Sequence, residues 1–355
     1  FKNSCLFITS RSFCYKKIKM SVIIKVLIAG FVLLGVFALS IYAYFEHKQL
    51  PVYDIRLAVK VLLGKTSYTP YKGLEEKLGY SSSDKLLIIH ADDLGLAKSV
   101  NKATFDALEK GGVNSASIMA NCKFINEIKK YSKEIPNVDL GVHLTVTNEW
   151  KNYRWKSLMP ANKSQTLVNN IGEFPVGIKN FVLRADPDEL KKELQAQINK
   201  IKSLGIEPTH IDSHEGALFF NKDHFRVYLE IGEKNKLPVF VPKGVDAHFN
   251  KGFPKPENVV VIKDLYMARK GLKRSEWEAF YLNTLNGLKP GLSQLIVHLG
   301  YNDNEMREIS VDHPDYGASW RHLDYKAVTS DGFLKALKQN NIKLVTWKEI
   351  QKVLY

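Results

Sequence analysis

From Lys85 to the end of the chain, short apolar runs of strand length alternate with longer segments of helical periodicity, and few folds satisfy that alternation. Lys85-Leu86-Leu87-Ile88-Ile89-His90-Ala91 shows no polar alternation, which is how a parallel strand covered on both faces reads. A helix is expected over 98–110, closed by Gly111-Gly112, then a strand over 115–120, a helix over 124–132 and a strand over 138–144. The most pronounced helix starts at Asp186-Pro187, with Glu189 at the capping-box position. It keeps Leu190, Leu194, Ile198 and Ile201 on one face and closes at Gly205. Further strands are expected over 208–213, 238–241, 259–262, 292–298 and 343–346, with helices over 225–235, 276–288, 333–340 and at the very end. Parallel strands need crossover connections, so the class is α/β, and about seven such units favour a barrel over an open sheet. One segment breaks the rhythm. Residues 148–184 carry Trp150, Tyr153, Trp155, Pro160 and Phe174 without periodicity, and read as an insertion over the mouth of the site.

The N-terminal part follows a different logic. No residue from Val26 to Phe45 carries a formal charge, and the run has no polar stripe. It meets the roughly 20 residues needed to cross a hydrocarbon core as a helix. Lys16, Lys17, Lys19 and Lys25 precede it, whereas Glu46-His47-Lys48 after it is nearly neutral. The positive flank is expected on the cytoplasmic side, which puts the remainder outside the cytoplasm, periplasmic or extracellular. An uncleaved anchor is the reading, with a cleavable signal as its rival, since Ala38-Leu39-Ser40 has a small–x–small pattern. Residues 1–19 read as an over-extended start ahead of Met20, residues 20–45 as the membrane segment, 46–84 as a connector and 85–355 as the catalytic domain.

The net charge of +14 draws five units from Lys2, Arg11, Lys16, Lys17 and Lys19, and beyond them lysine is interspersed with acid. No aromatic-basic module accompanies it, so a solvated lysine-rich face is expected rather than a nucleic-acid site. Cys5 and Cys14 precede the membrane segment, which leaves Cys122 alone in the main domain, without a partner for a disulfide there. It reads as a small core residue rather than a nucleophile.

The chemistry sits at one kind of place. Asp92-Asp93, His143, His214 and His298 each fall at or just after the carboxyl end of an expected strand, the edge where α/β folds build their sites. His210, Asp212 and His214 are two apart, so an extended chain turns them to one face. Imidazoles and a carboxylate on one face suit a divalent metal with positions left open for water and substrate. Each residue also has a plainer use. Asp93 can cap the next helix, His143 and His210 can be satisfied core histidines, and Asp212 can simply orient an imidazole. His90, inside its strand, reads as structural, and no role is assigned to His224, His248 or His313.

Three stretches resemble the motifs of the YdjC-like carbohydrate deacetylases, a polysaccharide deacetylase-like family. They are Ala91-Asp92-Asp93-Leu94-Gly95-Leu96-Ala97-Lys98-Ser99-Val100-Asn101-Lys102-Ala103, Val138-Asp139-Leu140-Gly141-Val142-His143-Leu144-Thr145 and Pro208-Thr209-His210-Ile211-Asp212-Ser213-His214. The likeness runs on through Val297-His298-Leu299-Gly300. It implies a distorted TIM-like barrel and a hydrolase that removes acetyl groups from N-acetylated sugars of a glycan or glycolipid. Asp93, His143 and His214 would hold a divalent metal ion, Mg or Zn. Asp92 would be the general base, and His298 the acid for the departing amine or a stabiliser of the tetrahedral intermediate. Where many members continue the third motif with histidine, this chain has Glu215-Gly216-Ala217-Leu218, and Leu299 replaces the proline common after the late histidine. Two other functions are weighed beside this one: a non-catalytic carbohydrate-binding relic, and a metal-dependent hydrolase of another ester or amide. Tyr301, Asn302, Asp303, Asn304, Glu305, Trp320, Arg321 and His322 are expected near the mouth. Arg321 would pair with a substrate anion or make a structural ion pair, and Trp150, Trp155 and Trp320 would stack on sugar rings or seal the core.

Overall fold

The computed structural model describes residues 9–47, 73–135, 137–243, 245 and 258–355. Residues 1–8 of the expected over-extended start, 48–72 of the connector, and His248 lie outside the described residues. The chain divides into two compact units, Phe1–Leu62 and Leu63–Tyr355.

Among the described residues, the first unit holds the helix Thr9–His47. Its stretch Ile24–Ala43 has a mean hydropathy of 2.5 and is long and apolar enough to cross a membrane, a test that a signal sequence also passes.

In the second unit the strands are β1 (Lys85–Leu94), β2 (Ser115–Ile118), β3 (Leu140–Leu144), β4 (Ile211–Ser213), β5 (Val239–Pro242), β6 (Val259–Ile262), β7 (Asp264–Met267), β8 (Gly291–Val297) and β9 (Ile342–Leu344). Every pairing between them is parallel, in the order β6-β5-β4-β3-β2-β1-β8-β7, with β9 added beside β1. The result is the expected α/β barrel, nearly closed and distorted. Closure comes from the chain itself. β6 pairs with β5, a single residue, Lys263, follows, and β7 then pairs with β8. One bent extended segment thus serves both rims of the gap, and Lys263 N donates to Leu292 O at 3.3 Å across it.

The core follows from the apolar runs. Leu86, Leu87, Ile88 and Ile89 of β1 are wholly buried, each worth about 2 kcal/mol relative to exposure. β1 is held along its length by β8, at its start by β9 and at its end by β2. β7 was not expected, because all four of its residues are half-buried and it lacks the apolar run that marks the others. The helix Ala318–Val328 was not expected either: it buries Arg321 and Asp324 along with its apolar residues, which blurs any hydrophobic stripe.

Helix Pro187–Ser203 begins where expected, and Asp186 accepts from Asp188 N and Glu189 N. The capping box is not formed. Glu189 turns to Thr166, accepting from its N at 2.8 Å and its Oγ1 at 2.7 Å, and so ties the 148–184 insertion to the helix. Asn148 closes the other end of the insertion by donating to Trp155 O and Phe174 O. Glu193, fully buried, takes hydrogen bonds from Ser157 Oγ, Leu158 N and Met159 N. The insertion is therefore packed, with only a single helical turn at Ala161–Lys163 and the helix Ile178–Arg184 inside it.

Candidate active site

The parallel arrangement brings the carboxyl ends of β1, β3, β4 and β8 to one edge, and that edge carries Asp92, Asp93, His143, His214 and His298. At the end of β1 the pairing with β2 is irregular between Ala91 and Leu94, and Asp93 adopts φ 68°. A left-handed aspartate near a strand end is uncommon backbone, and such conformations cluster at functional sites. Gly95 then turns the chain at φ 99°, where a Cβ would stand 2.9 Å from Ile125 Cγ2. Asn101 fixes this turn by accepting from Gly95 N at 2.7 Å and donating to Phe124 O. The following helix, Lys98–Glu109, has Ala97 at its N-cap with no side-chain cap, so Asp93 does not serve there. Its carboxylate points elsewhere.

Asp93 Oδ1 is buried without a hydrogen-bond partner. It lies 3.4 Å from His143 Nε2 and 3.4 Å from His214 Nδ1, and those two nitrogens are 3.2 Å apart. Atoms bound about 2.1 Å from one cation lie about 3.0 Å apart at right angles and about 3.4 Å apart at tetrahedral angles. The triangle fits a divalent cation. Two further groupings, His90 with His210 and Asp212, and Asp92 with His143 and Asp212, are also close enough to be considered. In both of them Asp212 is already engaged by imidazoles on each oxygen.

Each candidate ligand is backed by a second group. His143 Nδ1 meets Asp212 Oδ1 at 2.7 Å. His214 Nε2 faces Glu149 Oε1 at 3.1 Å. Arg321 Nη2 donates to Asp93 Oδ2 at 2.7 Å, its Nε donates to Tyr316 O, and its guanidinium lies 5.6 Å from the Trp150 ring centre. Arg321 is therefore the partner of a buried acid, and it leaves Asp93 only one oxygen to offer. Carboxylates that aim metal-binding imidazoles are a common arrangement around such sites.

The electrostatics call for positive charge. Four carboxylates, Asp92, Asp93, Glu149 and Asp212, meet one guanidinium. Burial alone would raise Asp93, but Arg321 and the imidazoles of His143 and His214 beside it hold it well below the carboxylate range. Burial would likewise lower the two imidazoles, yet Asp212 and Asp92 push His143 well above its usual value. Asp93 and Glu149 bring His214 up to about 10. Protons on these two rings occupy the electrostatic place that a divalent cation would fill.

Asp92 and His298 stand beside the triangle. Asp92 Oδ2 is 4.0 Å from His143 Nε2 and 3.8 Å from His298 Nε2. Burial raises Asp92 to about 6, against the pull of His143. Burial brings His298 down to about 4, so its ring is neutral near pH 7. His298 N donates to Asp324 Oδ2 at 3.0 Å, and the ring packs edge-on to Tyr316 at 4.9 Å.

His210 does not reach the triangle. Its Nδ1 pairs with Thr209 Oγ1 and its ring stacks on Trp347 at 5.1 Å, over Gly141, where a Cβ would come within 2.4 Å of the imidazole. Trp150, Trp155 and Trp320 are all at least nine-tenths buried, so they wall the site rather than offer open stacking faces. Trp155 lies edge-on to His214 at 5.6 Å. Cys122 is buried, and burial pushes its thiol well up, as suits a core residue. Tyr301, Asp303 and Glu305 line a cleft of about 610 Å³ with Lys98, Ser99 and Lys102. Sequence reasoning missed Glu149 and Asp324. Glu149 follows a strand end by five residues inside the unpatterned insertion, and that proximity was the only available signal.

Residues 86–339 match the family model of the YdjC-like proteins. A carbohydrate deacetylase of Thermoanaerobacter pseudethanolicus is 30% identical over 267 residues, 74% of this chain and 98% of that protein. One from Thermus thermophilus is 30% identical over 291 residues, 79% of this chain and 99% of that protein. A chitooligosaccharide deacetylase of Yersinia enterocolitica is 36% identical over 137 residues, 37% of this chain and 49% of that protein. Among solved structures, an Enterococcus faecalis protein with a provisional cellobiose-phosphate cleavage name superposes with a TM-score of 0.63 at 22% identity. That superposition covers 75% of this chain and 98% of the other, which speaks to the fold. The chain belongs to the YdjC-like family, that of the carbohydrate deacetylases.

Proposed function

We propose that this protein is a metal-dependent deacetylase that hydrolyses the N-acetyl amide of an amino sugar in a glycan or glycolipid. The observation that carries the reading is the triangle of Asp93 Oδ1, His143 Nε2 and His214 Nδ1, with Asp92 and His298 beside it. These three residues would hold the cation, Zn or Mg. A cation there supplies a Lewis acid that polarises the acetyl carbonyl and acidifies water. Asp92 accepts the proton of the attacking water through Oδ2, the oxygen that faces His143 and His298. His298, neutral at rest, receives that proton from Asp92 and hands it to the departing nitrogen, or donates a hydrogen bond to the oxyanion. The amide C–N bond breaks, and acetate and the free amine leave. Arg321 and Asp212 keep Asp93 and His143 aimed while this happens.

The apolar stretch Ile24–Ala43 supports an anchor, and the lysines before it support an orientation with the catalytic unit outside the cytoplasm.

Acetate release from N-acetylglucosamine oligomers by the full chain in detergent, with and without chelator and added Zn or Mg, tests the reaction. Release that chelation abolishes and metal restores is expected; release indifferent to chelator overturns the metal dependence. Asp92→Asn is expected to keep its metal and lose turnover. Loss of metal instead would exchange the roles of the two aspartates.

A further inference from the structure

His90 lies on β1 two residues before Asp92, so both side chains project to the same face of the strand, into the barrel. It is wholly buried, and both ring nitrogens are in use. Nδ1 is 2.8 Å from Ser115 Oγ. Nε2 is 2.9 Å from Asp212 Oδ2, 3.1 Å from Ser117 Oγ and 3.4 Å from Asp92 Oδ1. Carboxylates only accept, so an N–H belongs on Nε2.

The consequence concerns which oxygen points where. Asp92 turns Oδ1 to His90 and Oδ2 to His143 and His298. Asp212 turns Oδ2 to His90 and Oδ1 to His143 Nδ1. Asp92 Oδ1 is buried without a hydrogen-bond partner, and His90 Nε2 at 3.4 Å is the polar group it faces. One imidazole thus stands behind both acids, on the side away from the candidate cation triangle.

We propose that His90 is a positioning residue for the reaction: its Nε2–H donates to Asp212 and stands beside Asp92 Oδ1, aiming the second acid at His143 and, by charge attraction, turning the other oxygen of the base toward the attacking water. This rests on the deacetylase reading for the role of Asp92, whereas the effect on Asp212 and His143 stands on geometry alone. A 1 Å misplacement of a catalytic group costs about 100-fold in rate, and loss of a group behind a metal ligand costs about 10- to 100-fold in affinity.

Two substitutions separate positioning from packing. His90→Phe keeps a planar ring and removes both nitrogens. His90→Gln loses the ring but places an amide N–H near the position of Nε2. Steady-state acetate release should show kcat lowered about 100-fold in His90→Phe with KM within about threefold, and kcat within about fivefold of wild type in His90→Gln. Calorimetric titration of the metal-stripped full chain with Zn alone should show affinity about tenfold weaker in His90→Phe and restored in His90→Gln. Wild-type values in His90→Phe by both measurements overturn the proposal. So do equal losses in the two variants that merely follow their melting temperatures. If His90→Phe does not fold, His90→Asn takes its place: its shorter amide reaches only the position of Nδ1, and an unchanged kcat and Zn affinity there overturn the proposal. A wild-type chain that releases no acetate sinks the deacetylase reading instead, and the Zn titrations of the variants still decide the role of His90.

Discussion

The site is built from two kinds of residue. Asp92, Asp93, His143 and His214 stand at or just beyond strand ends, where parallel register sets their height and side. Glu149, Arg321 and Asp324 come from an unpatterned insertion and a late helix. Arg321 is 228 residues from Asp93. The strand-end group offers atoms to the centre of the site, whereas the second group holds those atoms in position. A barrel edge can gather acids and imidazoles by backbone geometry alone, but their orientation needs partners that the strands do not carry.

The comparison can be broken at several points, and the largest effect belongs to the strand-end group. His214→Ala removes one corner of the triangle and is expected to abolish both Zn uptake, read by metal analysis of the purified chain, and acetate release. Arg321→Met leaves Asp93 buried without its cation and is expected to destabilise the metal-stripped chain by about 3–5 kcal/mol in denaturant unfolding. A change below about 1 kcal/mol would make Arg321 dispensable to the fold. Glu149→Gln keeps the shape and removes the charge facing His214 Nε2, so Zn affinity should weaken about tenfold while unfolding changes little. An unchanged affinity would place Glu149 outside the support of His214. Glu189→Ala, which cuts only the tie between the insertion and its helix, should cost about 1 kcal/mol in unfolding with kcat preserved.

The two buried polar residues of the helix Ala318–Val328 explain why that element escaped the pattern. Helical periodicity is read on the premise that charge faces water, and here Arg321 and Asp324 face inward, one to Asp93 and the other to the amide of His298. The capping box at Glu189 failed for a related reason. A local rule gave the carboxylate a local partner, and Thr166 of the insertion supplied a competing one. Strand β7 escaped because its burial is partial on every residue, so no apolar run marked it.

What the sequence alone determined is the set of chemical groups and the edge they share. Apolar runs of strand length separated by helices require parallel strands, parallel strands put their carboxyl ends together, and the residues at those ends are Asp92, Asp93, His143, His214 and His298. What only the tertiary structure decided is how those groups divide their work. Spacing left His210, Asp212 and His214 equivalent on one face. The packed barrel sends His214 to the triangle, turns Asp212 behind His143 and stacks His210 over Gly141 against Trp347. It also draws in His90, which the sequence offered as a structural residue of its strand. The physical reason is that alternation along a strand fixes only direction. Which oxygen or nitrogen meets which partner depends on atoms contributed by other strands, the insertion and the late helix.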